Sequence, residues 1–146
     1  MLASEINKVL EGDPQFLGCY PFDALPEFPK KFPVKIIVNT GSVSTKGEHW
    51  VALLLDSKTC LYFDSFGLPI INIEILQYLA NRYKTVTYSD KCIQYFSSIL
   101  CGKYCIDFIQ NVRNAQSFGH FLDKFDDINL AQNDVILFKS NNYFSE

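Results

Sequence analysis

Apolar residues follow two rhythms along this chain. In the first they are packed almost without interruption. Val34-Lys-Ile-Ile-Val-Asn-Thr40 is β-branched and bounded by Pro33 and Gly41, which predicts a strand. His49-Trp-Val-Ala-Leu-Leu-Leu-Asp56 is apolar at both alternating sets of positions, so it reads as a central strand covered on each side. Ser57 and Lys58 make the turn, and Cys60-Leu-Tyr-Phe-Asp-Ser-Phe-Gly67 returns antiparallel. Thr85 to Tyr88 is a further short strand.

In the second rhythm, apolar positions recur three and four apart, the signature of a helix with one buried face. Ser4 is placed to cap a short helix burying Ile6, Val9 and Leu10, with Gly12 as its stop. Asn72 is placed to cap another through Ile73, Leu76, Leu79, Ala80 and Tyr83. Cys101, Cys105, Phe108, Ile109 and Val112 define a third, starting at Cys101 and running to about Ala115. Between the first helix and Val34 fall five of the six prolines and several phenylalanines, predicting an irregular loop whose aromatics pack onto the domain. From Gln116 onward the pattern weakens to a small helix and an irregular packed end. The result is one α+β domain over residues 1–146, with a central, mainly antiparallel sheet flanked by helices.

Composition narrows the class. There is no internal repeat or low-complexity tract, and 146 residues suffice for one core without disulfides. The five cysteines are an odd number without framework spacing, so at least one thiol is free, which suits a reducing intracellular setting. The N-terminus lacks a basic stretch ahead of an apolar one, as a signal peptide would have, and no apolar run approaches the roughly 20 residues of a membrane span. A net charge of −3 with scattered basic residues argues against a large nucleic-acid footprint.

The candidate chemistry is thiol-based. Cys101 stands at a helix N-terminus, where unpaired N–H groups and the helix dipole favour a thiolate. If Asp56 faces Thr59 across the two-residue turn, Val51 faces Asp64 and His49 faces Phe66. His49 and Asp64 are then diagonal neighbours on one face, about 7–8 Å apart at Cα and within reach of a carboxylate–imidazole contact. Trp50 points to the other face as plain core. The polar loop from Gly41 to Glu48 leads straight to His49 and is placed either to run alongside a substrate backbone or simply to connect.

The stretches Phe16-Leu-Gly-Cys-Tyr20, Ile37-Val-Asn-Thr40, Glu48-His-Trp50, Ser57-Lys-Thr-Cys60, Phe63-Asp-Ser-Phe-Gly67, Ser89-Asp-Lys-Cys-Ile93 and Cys101-Gly-Lys-Tyr-Cys105 together resemble, in the same order, the adenain-like cysteine proteases. These are the maturation enzymes of adenoviruses, with relatives in virophages, related small DNA viruses and virus-like transposons. The resemblance implies a papain-like α+β fold. It implies Cys101 as nucleophile, His49 as general base, Asp64 orienting His49 where adenoviral enzymes usually carry Glu, and Gln94 donating its amide to the oxyanion beside the Cys101 N–H. It further implies cleavage of viral capsid or core precursors next to small residues or glycine, by a monomer in the infected cell (nucleus or cytoplasmic virus factory) and in the virion. Adenoviral enzymes are also stimulated by DNA and by a viral peptide disulfide-bonded at a cysteine matching Cys92. The short stretch after Cys92 weighs against the peptide here, and the acidic balance weighs against DNA.

Other readings predict other things. A deconjugating protease for a ubiquitin-like modifier shares the order His, Asp, Gln, Cys. An inactive module on the same fold would hold a peptide by strand addition beside the His49 loop. Zinc held by Cys60, Cys92, Cys101, Cys105 and His49 lacks any C-x2-C pair, and Cys101-x3-Cys105 is helix spacing. Cys19, Cys60 and Cys105 read as core. His120 has no visible partner and is assigned no role. No cofactor or metal is required.

Overall fold

A computed structural model describes residues 1–41 and 49–140. Its backbone is a five-stranded sheet, β1 (Phe16–Pro21), β2 (Val34–Asn39), β3 (Trp50–Leu55), β4 (Cys60–Phe63) and β5 (Thr87–Tyr88), in that spatial order. The three middle strands are antiparallel, as expected, and each edge is parallel to its neighbour, so the sheet is mixed. The helices among the described residues are α1 (Ala3–Leu10), α2 (Ile73–Ala80), α3 (Cys101–Asn111), α4 (Ala115–Asp123) and α5 (Ala131–Ser140).

The unbroken apolar strands are covered on both faces. Along β3, Trp50, Ala52 and Leu54 point into a core shared with α1, α3, α4 and α5, while Val51, Leu53 and Leu55 point into one closed by α2 and the proline-rich segment. All six residues of β3 are buried. The first core is aromatic: Phe63 and Phe108 stack at 5.2 Å, with Phe118 and Phe121 edge-on to both. On the other face Phe28 stacks on Tyr78 at 4.4 Å and Arg82 lies 4.3 Å from the Phe32 ring, so the aromatics of the proline-rich segment do pack down.

Several elements depart from the sequence pattern. The expected loop before Val34 contains β1, an edge strand interrupted at Gly18, where φ is +141° and the register shifts, and ended by Pro21. Such a strand needs neither alternation nor every N–H, so pattern does not reveal it. Ser4 lies inside α1; Leu2 precedes the helix, and its N–H donates to Glu5 Oε2 at 3.3 Å. The buried face of α2 is rotated: Ile75 and Leu79 are covered, while Ile73 and Leu76 are 62% and 48% exposed. With apolar residues around most of its circumference, α2 is oriented by the shape of the sheet rather than by its own period.

The third helix ends at Asn111 instead of continuing to Ala115. Val112 turns extended, and Asn114 restarts the chain as α4 by accepting the Ser117 N–H at 2.8 Å. The described part of the tail, to residue 140, holds two helices where one small helix and an irregular end were expected. Buried Lys35 donates to the Ile109 carbonyl at 2.7 Å, placing a cation at the C-terminal end of α3.

Candidate active site

The site forms at the end of the sheet where β3 begins and β4 finishes. The register runs from Ala52 opposite Phe63 to Leu55 opposite Cys60, closed by the Asp56 N–H to the Thr59 carbonyl at 2.8 Å. It is the two-residue turn that the sequence favoured. Continued past the last rungs, it sets His49 across from Phe66, and their rings lie 5.1 Å apart. The polar loop predicted over 41–48 lies outside the described residues apart from Gly41.

His49 Nε2 lies 2.9 Å from Asp64 Oδ1. The same oxygen accepts the Phe66 N–H at 2.8 Å, which locks the carboxylate from behind. Asp64 is only 5% exposed, so it would be costly there without these partners. The Cys101 thiol is the second side-chain hydrogen-bond partner of the imidazole.

Each group tunes the other. Burial alone lowers the His49 pKa, but the hydrogen bonds to Asp64 and Cys101 and the charges of both outweigh it, lifting the imidazole from 6.5 to about 9. Burial alone raises the Cys101 thiol. The hydrogen bond with His49, the main-chain N–H of Trp50, the imidazolium charge and the Gly102 N–H overcome it and bring the thiol below its ordinary value. Both shifts therefore act in the same sense, toward a thiolate beside an imidazolium. The other four cysteines go the opposite way through burial: Cys19 and Cys60 rise to about 12, Cys92 rises, and fully buried Cys105 rises well above its ordinary value.

Cys101 is the first residue of α3 and is 8% exposed. The glycine after it sits in a tight space. A Cβ on Gly102 would sit 3.2 Å from Met1 Sδ and 3.3 Å from Trp50 Cδ1. Trp50 is core, as expected, with its indole donating to the Met1 carbonyl at 3.2 Å; its main-chain contribution to the thiolate has no signal in the sequence.

Gln94 is 1% exposed and held at both ends of its amide. Its Oε1 accepts the Ser65 hydroxyl, and its Nε2 donates to the Ser98 carbonyl at 2.8 Å, leaving the second amide hydrogen for another acceptor. The Ile93 and Gln94 N–H groups both donate to the Ser65 carbonyl, at 2.9 and 3.0 Å, which fastens this segment to the residue after Asp64. Ser65 and Ser98 are thus supporting residues that sequence reasoning missed; a serine in a turn carries no mark of such a role.

Cys92 is half-buried, its thiol donating to the Gln94 carbonyl at 3.4 Å. It lines an apolar groove of about 510 Å³ with Phe66, Gln94, Tyr95, Phe96 and Ile128. A second groove, between α2 and β5, contains none of the candidate residues. Among the described residues no three His, Cys, Asp or Glu side chains converge as a metal site, and no helix is long and apolar enough to cross a membrane.

The chain matches the family described as adenovirus endoprotease over residues 16–136. It is 32% identical over 121 residues to the protease of Bovine adenovirus C serotype 10, covering 67% of this chain and 61% of that protein. It is 31% identical over 131 residues to the protease of Human adenovirus B serotype 3, covering 74% of this chain and 59% of the relative. The chain therefore spans about three fifths of the length of these curated relatives. A crystal structure of the ASFV pS273R protease aligns with a TM-score of 0.43 at 21% identity, over 68% of this chain and 42% of that one, a likeness too partial to carry anything further.

Proposed function

Since the chain belongs to the adenovirus endoprotease family, we propose that it is a cysteine endopeptidase with Cys101 as nucleophile, His49 as general acid and base, Asp64 as the group orienting His49, and Gln94 as an oxyanion donor. The observation that carries this reading is the unbroken contact from the Cys101 thiol through His49 to Asp64, with the thiol alone of five lowered in pKa. The Cys101 thiolate attacks the substrate carbonyl carbon and forms a C–S bond, and the carbonyl electron pair moves onto oxygen. That oxyanion is met by the Cys101 main-chain N–H and the free hydrogen of the Gln94 amide. His49 gives its proton to the leaving amine as the C–N bond breaks. It then takes a proton from water, whose oxygen attacks the thioester, and the acid product leaves with Cys101 restored.

The substrates in this reading are viral capsid or core precursors cut next to small residues or glycine, in the infected cell and the virion. No cofactor is required. A peptide disulfide-bonded at Cys92 finds a poor acceptor there, because burial raises that thiol and lowers its thiolate fraction. The net charge of −3 weighs against DNA as an activator. The intact thiol–imidazole–carboxylate contact also disfavours an inactive peptide-binding module. Incubating the protein with a capsid precursor and, separately, with a ubiquitin-like fusion tests the assignment. Cleavage of the precursor that Cys101→Ser abolishes supports it; cleavage confined to the fusion points to deconjugation, and no Cys101-dependent cleavage of either overturns it.

A further inference from the structure

The last helix reaches back to the segment between Cys92 and Cys101 through two adjacent polar side chains. Asn133 is fully buried; its amide nitrogen donates to the carbonyls of Ile93 at 2.8 Å and Asp126 at 2.9 Å, and its Oδ1 accepts the Asp126 N–H at 2.7 Å. Asp134, next along α5, accepts at one oxygen from two hydroxyls: Tyr104 at 2.7 Å and Ser98 at 3.1 Å. Tyr104 is fully buried in the first turn of α3, with its N–H bonded to the Leu100 carbonyl at 3.0 Å.

Ser98 is where these contacts converge. Its carbonyl holds Gln94 Nε2 at 2.8 Å. Its hydroxyl accepts the Leu100 N–H at 3.3 Å while donating to Asp134, and its own N–H closes a turn onto the Tyr95 carbonyl at 2.8 Å. One carboxylate on α5 is therefore joined through Ser98 to the Gln94 amide, and through Tyr104 and Leu100 to the helix start that carries Cys101. Both links are hydrogen bonds to a carboxylate, stronger and more directional than neutral ones.

We propose that Asp134 is a positioning residue for the oxyanion site, holding Ser98 so that the plane of the Gln94 amide and the N-terminus of α3 keep one fixed relation. The proposal rests on the reading of Gln94 as an oxyanion donor. It differs from a purely structural tether: a tether would be felt as lost stability, whereas a positioning contact is felt in turnover and only while Gln94 has an amide to position.

The test is a double-mutant cycle of Asp134→Ala and Gln94→Ala, with kcat, KM and Tm measured on the full chain and a fluorogenic peptide bearing glycine before the scissile bond. Asp134→Ala is expected to lower kcat about 10- to 100-fold with KM nearly unchanged, the scale of a small misplacement of a catalytic group. In the Gln94→Ala background the same change is expected to cost less than about twofold, because coupled residues are not additive. Asp134→Asn, which keeps an acceptor oxygen in place, retains most of the activity. An equal loss in both backgrounds, or an unaltered kcat in Asp134→Ala, overturns the proposal. If Asp134→Ala does not fold, Ser98→Ala in the same cycle removes the bridging hydroxyl while leaving the Tyr104–Asp134 contact in place, and the same outcomes decide. Turnover by the unaltered chain that Cys101→Ser abolishes upholds the proteolytic reading whatever the cycle gives; absence of Cys101-dependent turnover overturns both.

Discussion

His49 is subject to opposed influences, and the balance between them decides the chemistry. Burial works against its charged form, while the 2.9 Å contact with Asp64 and the contact with Cys101 favour it, leaving the pKa at about 9. The pair then works between two limits: below the depressed thiol value Cys101 is protonated, and above about 9 the imidazolium has lost its proton. These limits belong to the coupled pair rather than to either residue alone. The pH profile of kcat/KM should therefore rise on a limb below the usual thiol range and fall around 9. Removing the carboxylate with Asp64→Ala should shift the falling limb to lower pH, since the group that raises the imidazole is gone. An unmoved limb would mean that Asp64 does not set the state of His49. In the proposed mechanism Gln94 acts later, at the developing oxyanion, so Gln94→Ala should lower kcat by roughly 10²–10³-fold. A rate near that of the unaltered protein would remove it from the site.

At the scale of elements, the turn that leaves β4 matters more than its length suggests. Gly67 has φ +71°, and a Cβ there would meet the backbone of Asp90, Lys91 and Cys92 at 2.7 Å. That close approach lets Ser65 bond the Ile93 and Gln94 N–H groups, so one glycine allows the Asp64 segment and the Gln94 segment to lie together. Gly67→Ala should cost at least about 2 kcal/mol in thermal unfolding, from the backbone conformation and the clash combined, and should lower turnover of the molecules that remain folded. Unchanged Tm and turnover would show that the two segments are held by other means. Much of this level was legible beforehand. The turn at Ser57 and Lys58 fixed the β3–β4 register, and the spacing from Cys101 to Val112 placed a helix start under the thiol. What was not legible depended on partners distant in sequence. Strand β1 takes its order from β2, the face of α2 from the sheet, and the anchors Asn133 and Asp134 on α5 from groups 30 to 40 residues earlier.

For the whole molecule, the two cores divide the work. The aromatic core of Phe63, Phe108, Phe118 and Phe121 fixes α3 against the sheet, and with it the height at which Cys101 meets His49. The opposite core, under α2 and the proline-rich segment, covers the second face of β2, β3 and β4 and contains none of the catalytic candidates. A buried thiol at a helix start and an imidazole ahead of β3 are thus brought together by packing that extends well beyond the two residues themselves. The pH dependence of Cys101 alkylation by iodoacetamide, mapped by peptide mass spectrometry in the unaltered protein and in His49→Ala, tests that meeting most directly. The account predicts selective labelling of Cys101 with an inflection below 9.0 that moves upward when His49 is removed. An inflection at or above 9.0 that is the same in both proteins would contradict it.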